Sequence, residues 1–566
     1  MTLIKLKEKP FYLDDSAIEW VTETLNGMTQ EQKIGQLFCM NIRNFGDSML
    51  DYMYGIVEPG AVMYRPQNAK EEIAFTKKLQ NRSKIPLLIA ANLEKGGGGI
   101  VMEGTQIGSP MAAAATGDPE TAGKMAYICA KEGKEVGANW AFAPIIDIDY
   151  NWRNPITNTR TFGSDPERVK AMGVSYVKTI QENQVAACIK HFPGDGMDER
   201  DQHLLSSVNT MSCEEWDATY GKAYQACIDA GAMTCMVGHI MQPAYSKALN
   251  PELRDEDILP GSMSQELLGG LLRGKLGFNG MICSDATTMA GYTIPMPREE
   301  ALPHSVAAGI DMILFTRNME EDVNAIRKGV ENGTITEERL DEAVTRILAV
   351  KAALKLHHGV RELSEERASQ VIGCQEFKHF AKECADKAIT LVKDKEGILP
   401  LNPKKHKRIL FYPIEGKTDL IYGVVAGAVQ KIKDALLREG FEVTEFVPDP
   451  NREGFAKSFE YYKENYDLCL YVANLATKSN QTVVRIEWQE PMGANCPHFE
   501  ASIPTMFISI SNPYHLADVP RVKTFINTYG ADDATIDALI EKIMGRSEFK
   551  GISPVDAFCG KWDTRL

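Results

Sequence analysis

The chain has 566 residues, with 62 Lys or Arg against 77 Asp or Glu and a net charge of −15. Phosphate backbones are bound by clustered basic residues, so this balance argues against a nucleic-acid partner, and it disfavours an anionic membrane surface. No run of about 18 apolar residues is present to span a bilayer, and the length exceeds what one hydrophobic core accommodates, which predicts two domains.

Eight short apolar runs in the first 320 residues read as strands: 36–42, 60–64, 87–93, 140–148, 185–192, 232–240, 280–285 and 312–316. Near-continuous apolar character marks strands buried on both faces, as in parallel sheets. Most are separated by a stretch long enough for a helix, such as 119–137 and 165–183. Eight such units predict a (β/α)8 TIM barrel, with a doubly wound open sheet as the alternative. The placement of polar residues favours the barrel. Asn92 and Glu94 follow the third strand, and Asp147 and Asp149 end the fourth. Lys190 and His191 end the fifth, His239 the sixth and Asp285 the seventh. Catalytic groups of these barrels sit at the carboxyl ends of the strands, and five polar strand ends imply one shared mouth.

A helical pattern over 336–356 closes the first domain, expected at 1–356. The charged segment 357–375 reads as a linker. A smaller αβα sandwich is expected over 376–566, with strands at 389–392, 408–412, 468–472 and 505–510 and helices at 424–439 and 532–544. The 12 cysteines show no Cys-x-x-Cys spacing, and Cys188, Cys235, Cys283 and Cys469 sit in apolar runs. Buried reduced thiols suit a reducing compartment. With an N-terminus lacking the apolar core of a signal peptide, a cytoplasmic protein is expected.

Five segments carry possible chemistry. Gly96–Gly99 lacks the spacing of a dinucleotide fingerprint and reads as a flexible loop after strand three. Gly269–Leu276 nearly matches a phosphate loop but ends in Leu276 where a hydroxyl is needed, and it precedes a strand. Asp285 ends an apolar strand abruptly, so it is either a carboxylate nucleophile at the barrel mouth or a helix cap. The segment 190–203 is a Pro- and Gly-broken loop in which Asp201 and His203 are two apart. A carboxylate beside an imidazole orients the ring and yields an acid/base group. A solvated charged loop is the plain alternative, and a metal site built from His191, Asp195, Asp198, Asp201 and His203 is the sharper one. The polar loop 147–163 holds Asp147, Arg153, Asn154, Asn158 and Arg160, suited either to turn formation or to a polyhydroxylated ligand.

Taken together, these segments resemble glycoside hydrolase family 3, in particular its NagZ-like β-N-acetylhexosaminidases. The resemblance rests on 28–37, Asn154-Pro155 through Pro166, Lys190-His191-Phe192-Pro193-Gly194, and 272–280 with Ser284-Asp285. It continues through 308–312, 340–343, 389–393 and Leu399-Pro400-Leu401. It implies a TIM barrel followed by an αβα sandwich, with Asp285 as nucleophile and the Asp201–His203 pair in place of a carboxylic acid/base. It also implies that Asn92, Asp147, Arg160, Lys190, His191 and His239 contact the sugar. The sequence departs from the family at Asn92 where an Asp is usual, at Glu94-Lys95-Gly96 where Glu-Gly-Gly is usual, and at Asp195 where a His is usual.

The implied activity is retaining hydrolysis of terminal β-linked N-acetylglucosamine, with a cell-wall fragment as the suggested substrate. No cofactor, metal, nucleic acid or membrane is expected, and the expected partner is a small-molecule or oligosaccharide substrate. A neutral imidazole repels an anionic acceptor less than a carboxylate does, which opens a path for phosphate in place of water. A β-glucosidase of the same family, a metal-dependent hydrolase and a non-catalytic sugar-binding protein are the alternatives.

Overall fold

A computed structural model of the chain describes residues 4–42, 46–416, 425–452, 454–477 and 479–566. It falls into two compact units. The first comprises Met1–Thr105, Ala122–Ile148 and Pro166–Cys374; the second comprises Gln106–Thr121, Asp149–Asp165 and Gln375–Leu566. The units are therefore not the contiguous spans 1–356 and 376–566. The segment 357–375 contains the helix Glu365–Val371, and the first unit runs on to Cys374.

The first unit is the TIM barrel that the eight apolar runs predict. Its strands are β1 (Phe38–Ile42), β2 (Ala61–Tyr64), β3 (Leu88–Ala91), β4 (Trp140–Ala141), β5 (Ala186–Phe192), β6 (Thr234–Val237), β7 (Met281–Ala286) and β8 (Met312–Leu314). They pair in parallel in chain order, and β1 pairs with β8 to close the barrel. Six of the eight strands are buried along their whole length; Asn41 of β1 and Ala286 of β7 alone break the pattern. This double burial is why the strands read as continuous apolar runs rather than alternating ones.

Strand β4 is much shorter than the 140–148 run, because Ala143-Pro144 ends regular pairing and only Ile145 bridges onward to Lys190. Helix starts follow local chemistry. Thr29 forms a reciprocal capping box with Gln32 at the head of Gln30–Gln36, and Thr336 caps Glu337–Ala353.

The second unit contains a six-stranded sheet. Its strands are β9 (Thr390–Asp394), β10 (Arg408–Glu415), β11 (Glu442–Glu445), β12 (Leu468–Asn474), β13 (Thr505–Ser509) and β14 (Thr524–Asn527), in the spatial order β9-β14-β13-β12-β10-β11. Only β9 runs antiparallel to its neighbour. Alternate residues of β10 feed opposite faces. Ile409 and Phe411 join a core with the helices Ala428–Arg438 and Asp533–Ile543, while Leu410 and Tyr412 join an aromatic core with Phe446, Tyr471 and Phe507. The sheet is thus covered on both sides, as a sandwich requires. Strands β11 and β14 are absent from the sequence reading. The edge strand β11 is largely exposed and charged, and β14 is a four-residue run. Val424, the first residue of the expected 424–439 helix, lies outside the described residues.

Two inserted segments belong to this second unit. Helix Pro110–Ala115 packs Met111, Ala112 and Ala115 with Tyr514, Tyr529 and Val555. The loop after β4 follows the same path: the buried Asp149 carboxylate accepts hydrogen bonds from the Tyr514 hydroxyl, the Thr157 hydroxyl and the Asn158 amide.

Candidate active site

Five strands bring polar side chains to the carboxyl end of the barrel. Asp285 is the fifth residue of the six in β7 and is 7% exposed. Its Oδ1 accepts the Ala286 amide at 2.7 Å, which turns the carboxylate rather than capping a helix. Burial pushes this carboxyl up, but neighbouring imidazoles, His191 first, and the Ala286 amide outweigh it, so the group titrates below its ordinary value. Asp285 is therefore held as a carboxylate, the form a nucleophile needs.

The loop after β5 carries the Asp201–His203 pair. The Asp201 carboxylate is fully buried, and its Oδ1 meets His203 Nδ1 at 2.7 Å and accepts the His203 amide at 2.8 Å. Because a carboxylate only accepts, Nδ1 carries the proton and Nε2 is left as the nitrogen that gives or takes one. His203 keeps a partly exposed ring, as a group that meets substrate requires.

His191 and Asp147 form a second, deeper pair. His191 Nδ1 lies 2.6 Å from Asp147 Oδ2, while Asp147 Oδ1 accepts the amides of His191 and Asp195 at 3.0 and 2.8 Å. Asp147 has no exposed surface, so it orients His191 and anchors the start of the 193–208 loop. Asp195, which stands where the family has a histidine, is drawn into the same anchor: its carbonyl accepts the Tyr220 hydroxyl at 2.6 Å. Lys190 is buried and its ammonium meets Glu94 at 2.9 Å. Asn92 follows β3 directly and is partly exposed.

His239 is different in kind. It is wholly buried; its Nε2 lies 3.0 Å from the Ala286 carbonyl and its Nδ1 2.8 Å from the Ser262 hydroxyl. A carbonyl accepts, so Nε2 carries the proton and Nδ1 accepts from Ser262. Burial depresses this imidazole to about 4, against an opposing pull from Asp285. It is a neutral ring that grips the backbone beside Asp285. Arg160 ends a short turn, Asn158–Arg160, which belongs to the second unit.

Glu94, which the sequence reading places after the third strand, is the counter-ion of Lys190. Two further residues escape that reading. Gln202, between Asp201 and His203, is fully buried and accepts the His239 amide at 2.7 Å. Glu132 accepts the amides of Gly97 and Thr105 and the Thr105 hydroxyl, at 3.1, 2.8 and 2.6 Å. It fastens the glycine run, which was expected to be flexible. A Cβ on Gly97 would lie 2.1 Å from Glu132, and one on Gly99 would lie 1.9 Å from the Asn92 carbonyl, so close packing demands glycine at both. Among the described residues, no three His, Cys, Asp or Glu side chains converge as metal ligands. Of the groups in 191–203 considered as ligands, His191 pairs with Asp147, His203 with Asp201 and Asp198 with Arg200. Gly269–Leu276 overlaps the helix Glu266–Lys275 and forms no phosphate loop.

Residues 29–350, more than half of the chain, match the glycosyl hydrolase family 3 N-terminal domain. The chain belongs to glycoside hydrolase family 3. It is 51% identical over 565 residues, all of both chains, to a Cellulomonas fimi protein named beta-N-acetylglucosaminidase/beta-glucosidase. Among solved structures it is similar to one described as beta-glucoside phosphorylase BglX, with TM-score 0.93 and 48% identity over 99% of each chain. It is also similar to a glycoside hydrolase family 3 beta-N-acetylglucosaminidase from Paenibacillus sp. str. FPU-7, with TM-score 0.78 and 25% identity, covering 94% of this chain and 100% of that one. The protein is a family 3 glycosidase acting on β-linked sugars, and among the described residues no helix is long and apolar enough to cross a membrane.

Proposed function

We propose that this enzyme cleaves terminal β-linked N-acetylglucosamine, and β-glucose beside it, by double displacement between Asp285 and His203. The observation that carries the reading is a carboxylate held ionised among imidazoles, with an Asp-oriented histidine on the adjoining loop. In the first step an Asp285 oxygen bonds to the anomeric carbon. The glycosidic C–O bond breaks, and the departing oxygen takes the proton from His203 Nε2. In the second step the acceptor oxygen bonds to the same carbon, the bond to Asp285 breaks with its electron pair returning to the carboxylate, and the acceptor's proton goes to His203. Retaining glycosidases place their two groups about 5–5.5 Å apart for such direct attack. Asp201 stabilises the imidazolium that this cycle forms. Lys190, His191 and Asn92 are assigned to the sugar hydroxyls, while Asp147 and His239 act by orienting His191 and the Ala286 backbone. Asn92 carries no charge with which to enforce one sugar, in keeping with the double name of the Cellulomonas fimi relative.

A second reading concerns the acceptor. The chain shares 48% identity with a structure described as a phosphorylase, and an imidazole base repels phosphate less than a carboxylate would. Both readings are tested by following p-nitrophenol release from the β-N-acetylglucosaminide, glucoside and xyloside, with and without inorganic phosphate. Turnover of the first two, lost by at least about 10⁴-fold in Asp285→Asn, is expected. Phosphate acceleration with a β-configured sugar 1-phosphate as product supports phosphorolysis, and free sugar at an unchanged rate supports hydrolysis. An active Asp285→Asn enzyme overturns the nucleophile assignment.

A further inference from the structure

The loop that carries the acid/base pair is tied to the end of β6 through the Gln202 side chain and to the segment after β7 through two backbone carbonyls. Gln202 lies between Asp201 and His203, yet its side chain points away from both partners' pairing and reaches the carboxyl end of β6, where Oε1 accepts the His239 amide at 2.7 Å. His239 in turn donates from Nε2 to the Ala286 carbonyl, one residue past the nucleophile. On the other side, the Gln202 carbonyl accepts the Gly291 amide at 3.1 Å and the His203 carbonyl accepts the Ala290 amide at 3.0 Å. Both donors stand on the segment that follows β7. The space is tight: a Cβ on Gly291 would lie 2.5 Å from the Gln202 carbonyl oxygen, and one on Gly238 would lie 3.0 Å from Gln202 Oε1. The rest of the loop is held at Asp195, whose amide Asp147 accepts, and at Ser207–Val208, which pair with Ile240–Met241. The stretch around Gln202 is thus the part whose position is referred to Asp285 itself.

We propose that Gln202 is a positioning residue that sets the reach of His203 to the glycosidic oxygen by latching residues 201–203 between the end of β6 and the backbone after β7. The role rests on the reading of His203 as acid/base, and it makes a claim that a merely structural glutamine would not. Proton donation matters for a poor leaving group and hardly at all for a very good one. Displacing His203 while leaving Asp285 in place therefore slows the cleavage of alkyl glycosides selectively.

The test compares kcat/KM of Gln202→Met and Gly291→Ala with that of the unmodified enzyme, on methyl and 2,4-dinitrophenyl β-N-acetylglucosaminides. The first variant removes the acceptor at similar volume; the second crowds the same latch from the opposite side without altering Gln202, so either variant that folds carries the test. A fall of about 10²-fold or more on the methyl glycoside with less than about threefold on the dinitrophenyl one is expected, in line with the usual worth of general acid catalysis. Equal losses on both substrates, or no loss on either, overturn the proposal. His203→Ala runs beside them. If it shows the leaving-group selectivity and the latch variants do not, the latch alone fails; if it shows none, the acid/base assignment fails and takes the latch with it.

Discussion

At the residue scale, the site is a set of paired groups whose partners fix their orientation. Asp285 is surrounded by three imidazoles, and His203 and His191 each lean on a carboxylate. His239 is the exception, being buried without a carboxylate partner and donating to a backbone carbonyl instead. Its depression from 6.5 to about 4 has a consequence for stability. Between these values the unfolded chain binds a proton at this position that the folded one refuses. Stability is therefore fully present above about pH 6.5 and falls as pH drops toward 4, by about 3 kcal/mol from this group. Chemical denaturation of the unmodified protein and of His239→Asn across pH 4–7 reads the difference. The variant is expected to have the shallower slope, and identical slopes would mean that His239 is charged in the folded protein. Asp147 and Asp149 make a complementary point. They are two residues apart and both buried, yet one orients His191 in the first unit and the other receives Tyr514 in the second. Burial raises the Asp149 carboxyl, opposed by its hydrogen bonds from Thr157, Tyr514 and Asn158.

At the element scale, the amino end of β8 depends on one buried carboxylate. Asp311 has no exposed surface; it meets Arg273 and Arg339 at 2.7 Å each and accepts the Ile282 amide at 2.8 Å. It ties the last two barrel strands to the helix Glu337–Ala353, which also carries the buried Arg346. Arg273 shows how confined the cluster is, for burial pulls its guanidinium down to about 9. Removing one partner from such a cluster leaves uncompensated charge, so Asp311→Ala is expected to cost about 3–5 kcal/mol. Urea unfolding measures this, and a loss below about 1 kcal/mol would show that water reaches the arginines. The glycine loop after β3 follows the same logic with hydrogen bonds in place of ion pairs, since Glu132 holds it from the helix Pro119–Glu135.

At the scale of the whole molecule, the second unit is built from three pieces of chain, two of which interrupt the first unit in sequence. A chain ended at Cys374 would still contain Pro110–Ala115 and 149–165, but without the residues that bury them. Met111 and Ala115 would lose Tyr514, Tyr529 and Val555, and Asp149 would lose the Tyr514 hydroxyl. Such a chain is expected to be aggregation-prone and inactive, and Tyr514→Phe in the full chain should cost about 1–3 kcal/mol, because it leaves a buried carboxylate short of a donor. Size-exclusion behaviour of the truncated chain and thermal unfolding of the variant check these outcomes. A monomeric, active chain ending at Cys374 would show that the inserted segments fold without the second sheet.

The amino-acid sequence by itself determined the eight barrel strands, because double burial leaves an unbroken apolar run in each, and it placed Asp285, His191 and His239 at or just beyond the carboxyl ends of their strands. It also determined the Asp201–His203 pair, because two residues in one loop meet without help from the rest of the fold. Only the tertiary structure decided which groups hold these in place. Gln202 and His239 are 37 residues apart, Glu132 and Gly97 are 35 apart, and Asp149 and Tyr514 are 365 apart. A hydrogen bond between distant residues has no period or spacing to betray it, and a buried Gln or Glu looks in sequence like any polar residue of a solvated loop or helix face. The same reason explains the unequal domain limits: whether residues 149–165 join one sheet or another depends on the burial of Asp149 against a tyrosine from the far end of the chain, and not on the composition of the loop.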